Sequence, residues 1–211
     1  MEAIKEFLHL IGSVEGITEL IRWGGLAILI LIVFAETGLL VGFFLPGDSL
    51  LFTAGFVAGT TDALSIVHIL IALPIAAIVG DSVGYLIGRK AGLALYNRPQ
   101  SRWFQREHLL KTRRFYEQYG GMTLVMARFL PFARTFAPTV AGVAEMPYIP
   151  NFLGYSVLGG LGWVSSMSLL GYFFGQIPGV AEHVEKVILG IIFLSVVPVI
   201  VHARRRRAHA A

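Results

Sequence analysis

Apolar side chains recur at Ile4, Phe7, Leu8, Ile11, Val14, Ile17 and Ile21, with Lys5, Glu6, Glu15 and Glu19 between them. That spacing predicts an amphipathic helix over residues 3–20, lying along a membrane interface or capping a helical bundle. From Trp23 the pattern gives way to nearly continuous apolar sequence. Up to Thr60 its only formal charges are Glu36 and Asp48. A span takes about 20 residues, so the stretch is too long for one. Two plain spans would leave Glu36, Pro46, Gly47 and Asp48 at awkward depths. We therefore read a full span over 22–40 and a re-entrant helical hairpin over 41–59, broken at Pro46 and Gly47. Such backbone is tolerated at membrane depth only where protein or a wet cavity surrounds it.

The next span is predicted over 66–91. Its Gly80, Gly84, Gly88 and Gly92 fall four apart, forming a smooth ridge that another helix can approach closely. Asp81 lies beside that ridge. Residues 92–119 break the apolar pattern. There Arg98, Arg102, Arg106, Lys111, Arg113 and Arg114 mix with Trp103, Phe104, Phe115, Tyr116 and Tyr119, predicting a basic interfacial connection on the cytoplasmic side. Residues 120–143 are apolar again except for Arg128 and Arg134, and Pro131 and Pro138 break them into a second re-entrant hairpin. Spans over 148–175 and 180–202 follow, and Arg204 to Arg207 open a basic tail over 203–211.

Composition agrees with this pattern. Hydrophobic residues make up 55% and charged residues 14% of the 211-residue chain. That is the profile of an all-α polytopic membrane protein with four spans, read here as a single domain over 1–211. The net charge of +4 would suggest nucleic acid in a soluble chain. Here the bases sit beside apolar segments, where the positive-inside rule expects them, so no nucleic-acid partner is implied. Both termini are assigned to the cytoplasm. The two hairpins then enter from opposite sides, the inverted arrangement of secondary transporters. The amino terminus lacks a secretory-signal pattern. With no cysteine, disulfides and thiolate chemistry are excluded.

The chemistry concentrates between Arg128 and Pro138. An arginine in hydrocarbon costs several kcal/mol unless it snorkels, pairs or lines a wet cavity. Six positions apart on an unbroken helix, Arg128 and Arg134 would point to nearly opposite faces. A break at Pro131 allows them to converge. Guanidinium forks match phosphate oxygens, so the pair is a candidate phosphate site, with snorkelling or helix-tying as the alternative. Glu36, Asp48 and Asp81 are the candidate acids. Each could exchange a proton or remain ionised beside an arginine, and Asp48 also suits a plain Pro-Gly-Asp turn. The chain has no paired histidines at metal-ligand spacing, no nucleophile elbow and no phosphate loop. We therefore expect no enzyme, cofactor or metal.

Several motifs in order resemble a known family. They are Glu36, then Phe44-Leu-Pro-Gly-Asp-Ser-Leu-Leu-Phe-Thr-Ala-Gly55, then Gly80-Asp-Ser-Val-Gly-Tyr-Leu-Ile-Gly-Arg-Lys-Ala-Gly92. Tyr119-Gly and Arg128-Phe-Leu-Pro-Phe-Ala-Arg-Thr-Phe-Ala-Pro-Thr-Val-Ala-Gly142 follow, with Met146, Phe152 and Gly162-Trp163. Together they are similar to the bacterial DedA family, whose eukaryotic relatives with the VTT, or SNARE-associated, domain are lipid scramblases. The resemblance implies return of undecaprenyl phosphate across the cytoplasmic membrane, dependent on the proton-motive force. It places the family's important acids on Glu36 and Asp48 and its arginines on Arg128 and Arg134. Ser156 departs from the family's asparagine, which weakens any hydrogen-bonding role at that position. The resemblance leaves two other readings open: an uncoupled scramblase of anionic phospholipids, and a small-ion or drug–proton exchanger. A homo-oligomer is compatible with it.

Overall fold

The computed structural model describes residues 14–40, 47–96 and 121–178. Six α-helices are found among them: α1 (Val14–Gly38), α2 (Gly47–Thr60), α3 (Ile66–Tyr96), α4 (Met122–Ala127), α5 (Pro131–Val143) and α6 (Leu153–Gly175). A π-helical turn, Tyr148–Phe152, leads into α6. Among the described residues three stretches are long and apolar enough to cross a membrane by length and composition: Gly16–Gly38, Ile66–Leu93 and Tyr148–Gly175. Residues 3–13 of the expected amphipathic helix, Pro46, most of the basic connection, the span over 180–202 and the tail lie outside the described residues.

Several boundaries differ from the sequence reading. The described end of the expected interfacial helix, residues 14–20, is joined with the first span in α1, which bends at Gly25 rather than ending near residue 21. Gly25 takes φ 54 and ψ −143, a left-handed conformation open to glycine and strained for other residues. α3 runs past 91 to Tyr96. Gly47 is the first residue of α2. Pro138 is not the break expected of it, because it lies inside α5. It removes only the backbone bond that the carbonyl of Arg134 would accept. The interruption falls over Arg128 to Leu130, immediately before Pro131. Leu130 is extended (φ −113, ψ 116) and Pro131 opens α5. A proline disfavours helical geometry in the residue before it, yet its own fixed φ suits the first helical turn.

The chain divides into two compact units, one of residues 1–30, 45–72 and 164–211, the other of 31–44 and 73–163. In the first unit α2 packs on the C-terminal part of α6. Gly55 and Gly59 abut the carbonyls of Ser168 and Tyr172, while Gly171 and Gly175 abut those of Phe52 and Phe56. Residue numbers advance together on both helices, so the two run in the same direction. A Cβ on Gly55, Gly59 or Gly171 would collide with backbone. Small residues therefore set how closely these helices approach, as expected where packing rather than water drives association. Phe52 also meets Phe174 edge-on, with centroids 6.0 Å apart.

In the second unit α5 packs on α3 by the same scheme. Gly88 abuts the carbonyl of Thr139, Gly92 abuts Val143, and Gly142 abuts the carbonyl of Tyr85. Three contacts of one helix pair correspond in spacing to three of the other. Phe52 on Gly171 matches Thr139 on Gly88, Gly55 on Ser168 matches Gly142 on Tyr85, and Phe56 on Gly175 matches Val143 on Gly92. The glycine ridge of α3 thus packs α5 at Gly88 and Gly92, and at Gly80 it meets the end of α1. There a Cβ on Gly38 would strike the Gly80 backbone. Thr37 donates its hydroxyl to the carbonyls of Val33 at 3.0 Å and Ala77 at 3.3 Å, tying α1 to α3. An aromatic cluster completes this unit. Tyr85 lies 4.5 Å from Phe152 and 5.3 Å from Tyr148 between ring centroids. Its hydroxyl donates to the carbonyl of Met146 at 2.6 Å.

Candidate functional site: two buried ion pairs around one indole

Arg128 caps the C-terminus of α4 with helical backbone. Its own N–H and those of Phe129 and Leu130 reach back three residues, to Val125, Met126 and Ala127. The tight turn and the extended Leu130 then reset the chain direction before Arg134, in the first turn of α5. Both side chains are thereby turned into the interior of the second unit, where Arg128 is 4% and Arg134 6% exposed. The helical break makes this convergence possible, and each arginine finds its own acid.

Arg128 forms an ion pair with Asp81 of α3 through Nη2 and Oδ2. The Ser156 hydroxyl of α6 donates to the same Oδ2 at 2.5 Å. Arg134 Nη2 lies 2.5 Å from Oε1 of Glu36, near the end of α1. Glu36 is wholly buried and Asp81 nearly so. A buried pair of this kind offsets the desolvation of its members only with good geometry and further hydrogen bonds. The two guanidiniums also share Trp163 of α6. The carbon centre of Arg134 lies 4.9 Å and that of Arg128 5.9 Å from the ring centroid, within the range of cation–π attraction.

Asp81, Arg128, Arg134, Ser156, Phe152 and Pro138 are among the residues that line a cavity of about 10 Å³. That is room for about one water molecule. Behind it, Tyr148 donates its hydroxyl to Ser82 at 2.9 Å, fixing the π-helical turn beside Asp81. Among the described residues no three acidic or imidazole side chains gather as metal ligands.

A VTT domain matches residues 45–173. The protein DedA of Escherichia coli K12 is 48% identical over 186 residues, covering 88% of this chain and 84% of its own length. The chain belongs to the DedA family of membrane proteins. An uncharacterised membrane protein of Mycobacterium leprae is 42% identical over 174 residues, 82% of this chain and 77% of that one. The inner membrane protein YghB of Escherichia coli K12 is 34% identical over 169 residues, 79% and 74% of the two chains. No solved structure matches the chain.

Within this DedA-family fold the expected site residues separate into two groups. Arg128, Arg134, Glu36 and Asp81 come together in the second unit. Asp48 lies half-buried in the first turn of α2, in the first unit. Ser156 corrects the sequence reading. Although shorter than the asparagine that the resemblance puts at this position, it does hydrogen-bond, because α6 passes close enough for its hydroxyl to reach Asp81. Sequence reasoning assigned no role to Gly159, Gly160 or Trp163. A signal was present, since Ser156, Gly159, Gly160 and Trp163 recur at helical spacing on one face of α6.

Proposed function

We propose that this DedA-family protein is an inner-membrane lipid transporter that carries a phosphate-headed polyprenyl lipid, undecaprenyl phosphate or a related anionic lipid, and couples its movement to protons. The observation that carries this reading is the pairing of two buried arginines with two buried acids beside one small cavity. Permanent, forked cations suit phosphate oxygens, and burial inside apolar helices suits a ligand whose tail stays in lipid. A cavity with room for one water holds no phosphate, so the head group enters only when the ion pairs part.

Charge balance then supplies the coupling. Arg128, Arg134, Glu36 and Asp81 sum to zero. A phosphate monoester carries about −1.5 to −2 near neutral pH. Settling on both guanidiniums, it displaces Glu36 and Asp81 and leaves unbalanced negative charge in a low-dielectric interior. Proton uptake by the released carboxylates restores the balance. Head group and carboxylates thus compete for the same N–H donors, and Asp48 contributes to gating from α2.

The test is translocation in proteoliposomes of labelled undecaprenyl phosphate and phosphatidylglycerol, with and without a pH gradient. We expect the polyprenyl phosphate to move faster, with a rate that rises in the gradient. Equal movement of both lipids, indifferent to the gradient, would make the protein an uncoupled scramblase. Movement of neither, with exchange of small cations or drugs for protons, would make it an exchanger.

A further inference from the structure

We infer that Trp163 is a positioning residue for anion capture: its indole holds the two guanidiniums side by side when their carboxylates let go. The inference rests on the phosphate reading above and adds a residue that reading does not use. Trp163 is fully buried, and both arginines lie over its ring. The rest of the α6 face is cut to fit. A Cβ on Gly159 would come within 3.1 Å of Cδ and 3.2 Å of Nε of Arg128, and one on Gly160 would lie 3.8 Å from its guanidinium carbon. The Arg128 side chain therefore runs along a groove in α6 that glycines keep open and that ends on the indole.

The chemistry explains why an indole belongs there. A guanidinium donates hydrogen bonds in its plane, so carboxylate and phosphate compete for the same N–H groups. An aromatic ring attracts the cation through the negative face of its quadrupole. It draws on no in-plane donor and competes with neither anion. It also offsets the mutual repulsion of two cations that have just lost their acids. A third carboxylate in its place would bind the arginines more firmly and block the exchange.

The probe is Trp163 itself. With three tryptophans in the chain, Trp23→Phe with Trp103→Phe leaves it as the sole fluorophore. In the ligand-free protein, adding Arg134→Gln should shift or brighten its emission by removing the nearer of the two cations over the ring. Unchanged emission overturns the inference whatever the lipid. Farnesyl phosphate should then produce a saturable emission change that farnesol does not. Affinity for farnesyl phosphate should fall a few-fold in Trp163→Phe, which keeps a weaker aromatic face, and about 30-fold in Trp163→Leu. Equal affinity in wild type and Trp163→Phe, with no emission response to the phosphate, removes Trp163 from the capture step, even if the leucine variant fails to fold. Absence of farnesyl phosphate binding in the wild type sinks the phosphate reading instead, and the ligand-free emission still decides whether the indole holds the arginines.

Discussion

Asp81 accepts from both Arg128 and Ser156 on a single oxygen, and that sharing makes it the most exposed to substitution of the four charges. Asp81→Asn leaves a buried guanidinium without its counter-charge, which typically costs about 3–5 kcal/mol. We expect a corresponding drop in thermal stability in detergent, with part of it recovered when Arg128→Gln is added. A double variant no more stable than Asp81→Asn alone would show that the pair contributes little. Ser156→Ala removes one hydrogen bond to a charged group, a loss of about 1.5–3 kcal/mol. Ser156→Asn keeps a donor and should lose less. Single residues were partly legible in the sequence. Glu36, Arg128 and Arg134 stood out because formal charge is expensive in apolar sequence. Their pairing was not legible, since it joins α1 to α5 and α3 to α4 across long stretches of chain. Trp163 stayed hidden for a different reason. A tryptophan in a glycine-rich span is ordinary membrane packing until the arginines are seen over its ring.

Helix pairs carry the second layer of specification. The glycine ridge on α3 was readable as a close-packing face from its four-residue spacing, and the structure supplies its partners, α5 and the end of α1. The corresponding face of α2 and α6 was harder to read, because half of each contact is the backbone behind a phenylalanine, a serine or a tyrosine. Gly55→Ala drives a methyl into the Ser168 carbonyl and should destabilise by about 1–3 kcal/mol, the usual cost of overpacking. Gly162→Ala is the control. Nothing lies within 4 Å of a Cβ there, and helix propensity should make it neutral or slightly stabilising. Equal melting temperatures for the two variants would mean that the α2–α6 contact can spread at no cost. The break before α5 was announced by Pro131, whereas Pro138, equally conspicuous, is absorbed within the helix. A proline near the start of a helix and one farther along read alike in sequence, and packing decides which one interrupts.

Across the whole chain, the direction of α2 has a testable meaning. It runs with α6, with Gly59 beside Tyr172, so Thr61 and Gln176, both exposed just beyond those helices, should face the same side of the membrane. Single cysteines at these positions in the cysteine-free chain should react with an impermeant reagent from one side. One at Gln105, in the basic stretch, should react from the other. Labelling of Thr61 and Gln176 from opposite sides would contradict the parallel pairing, and labelling of Thr61 and Gln105 from one side would undo the charge-based topology. The same pairing governs biogenesis. The residues that cover Gly55 and Gly59 emerge from the ribosome roughly a hundred positions after them, and such distant closure is slow. Until α6 arrives, α2 is a short apolar helix lacking that neighbour, and a nascent chain stalled before Leu153 would present the bare glycine face to the insertion machinery. The glycine face of α2 is therefore covered only when the stretch of α6 that carries Ser168 and Tyr172 is laid down.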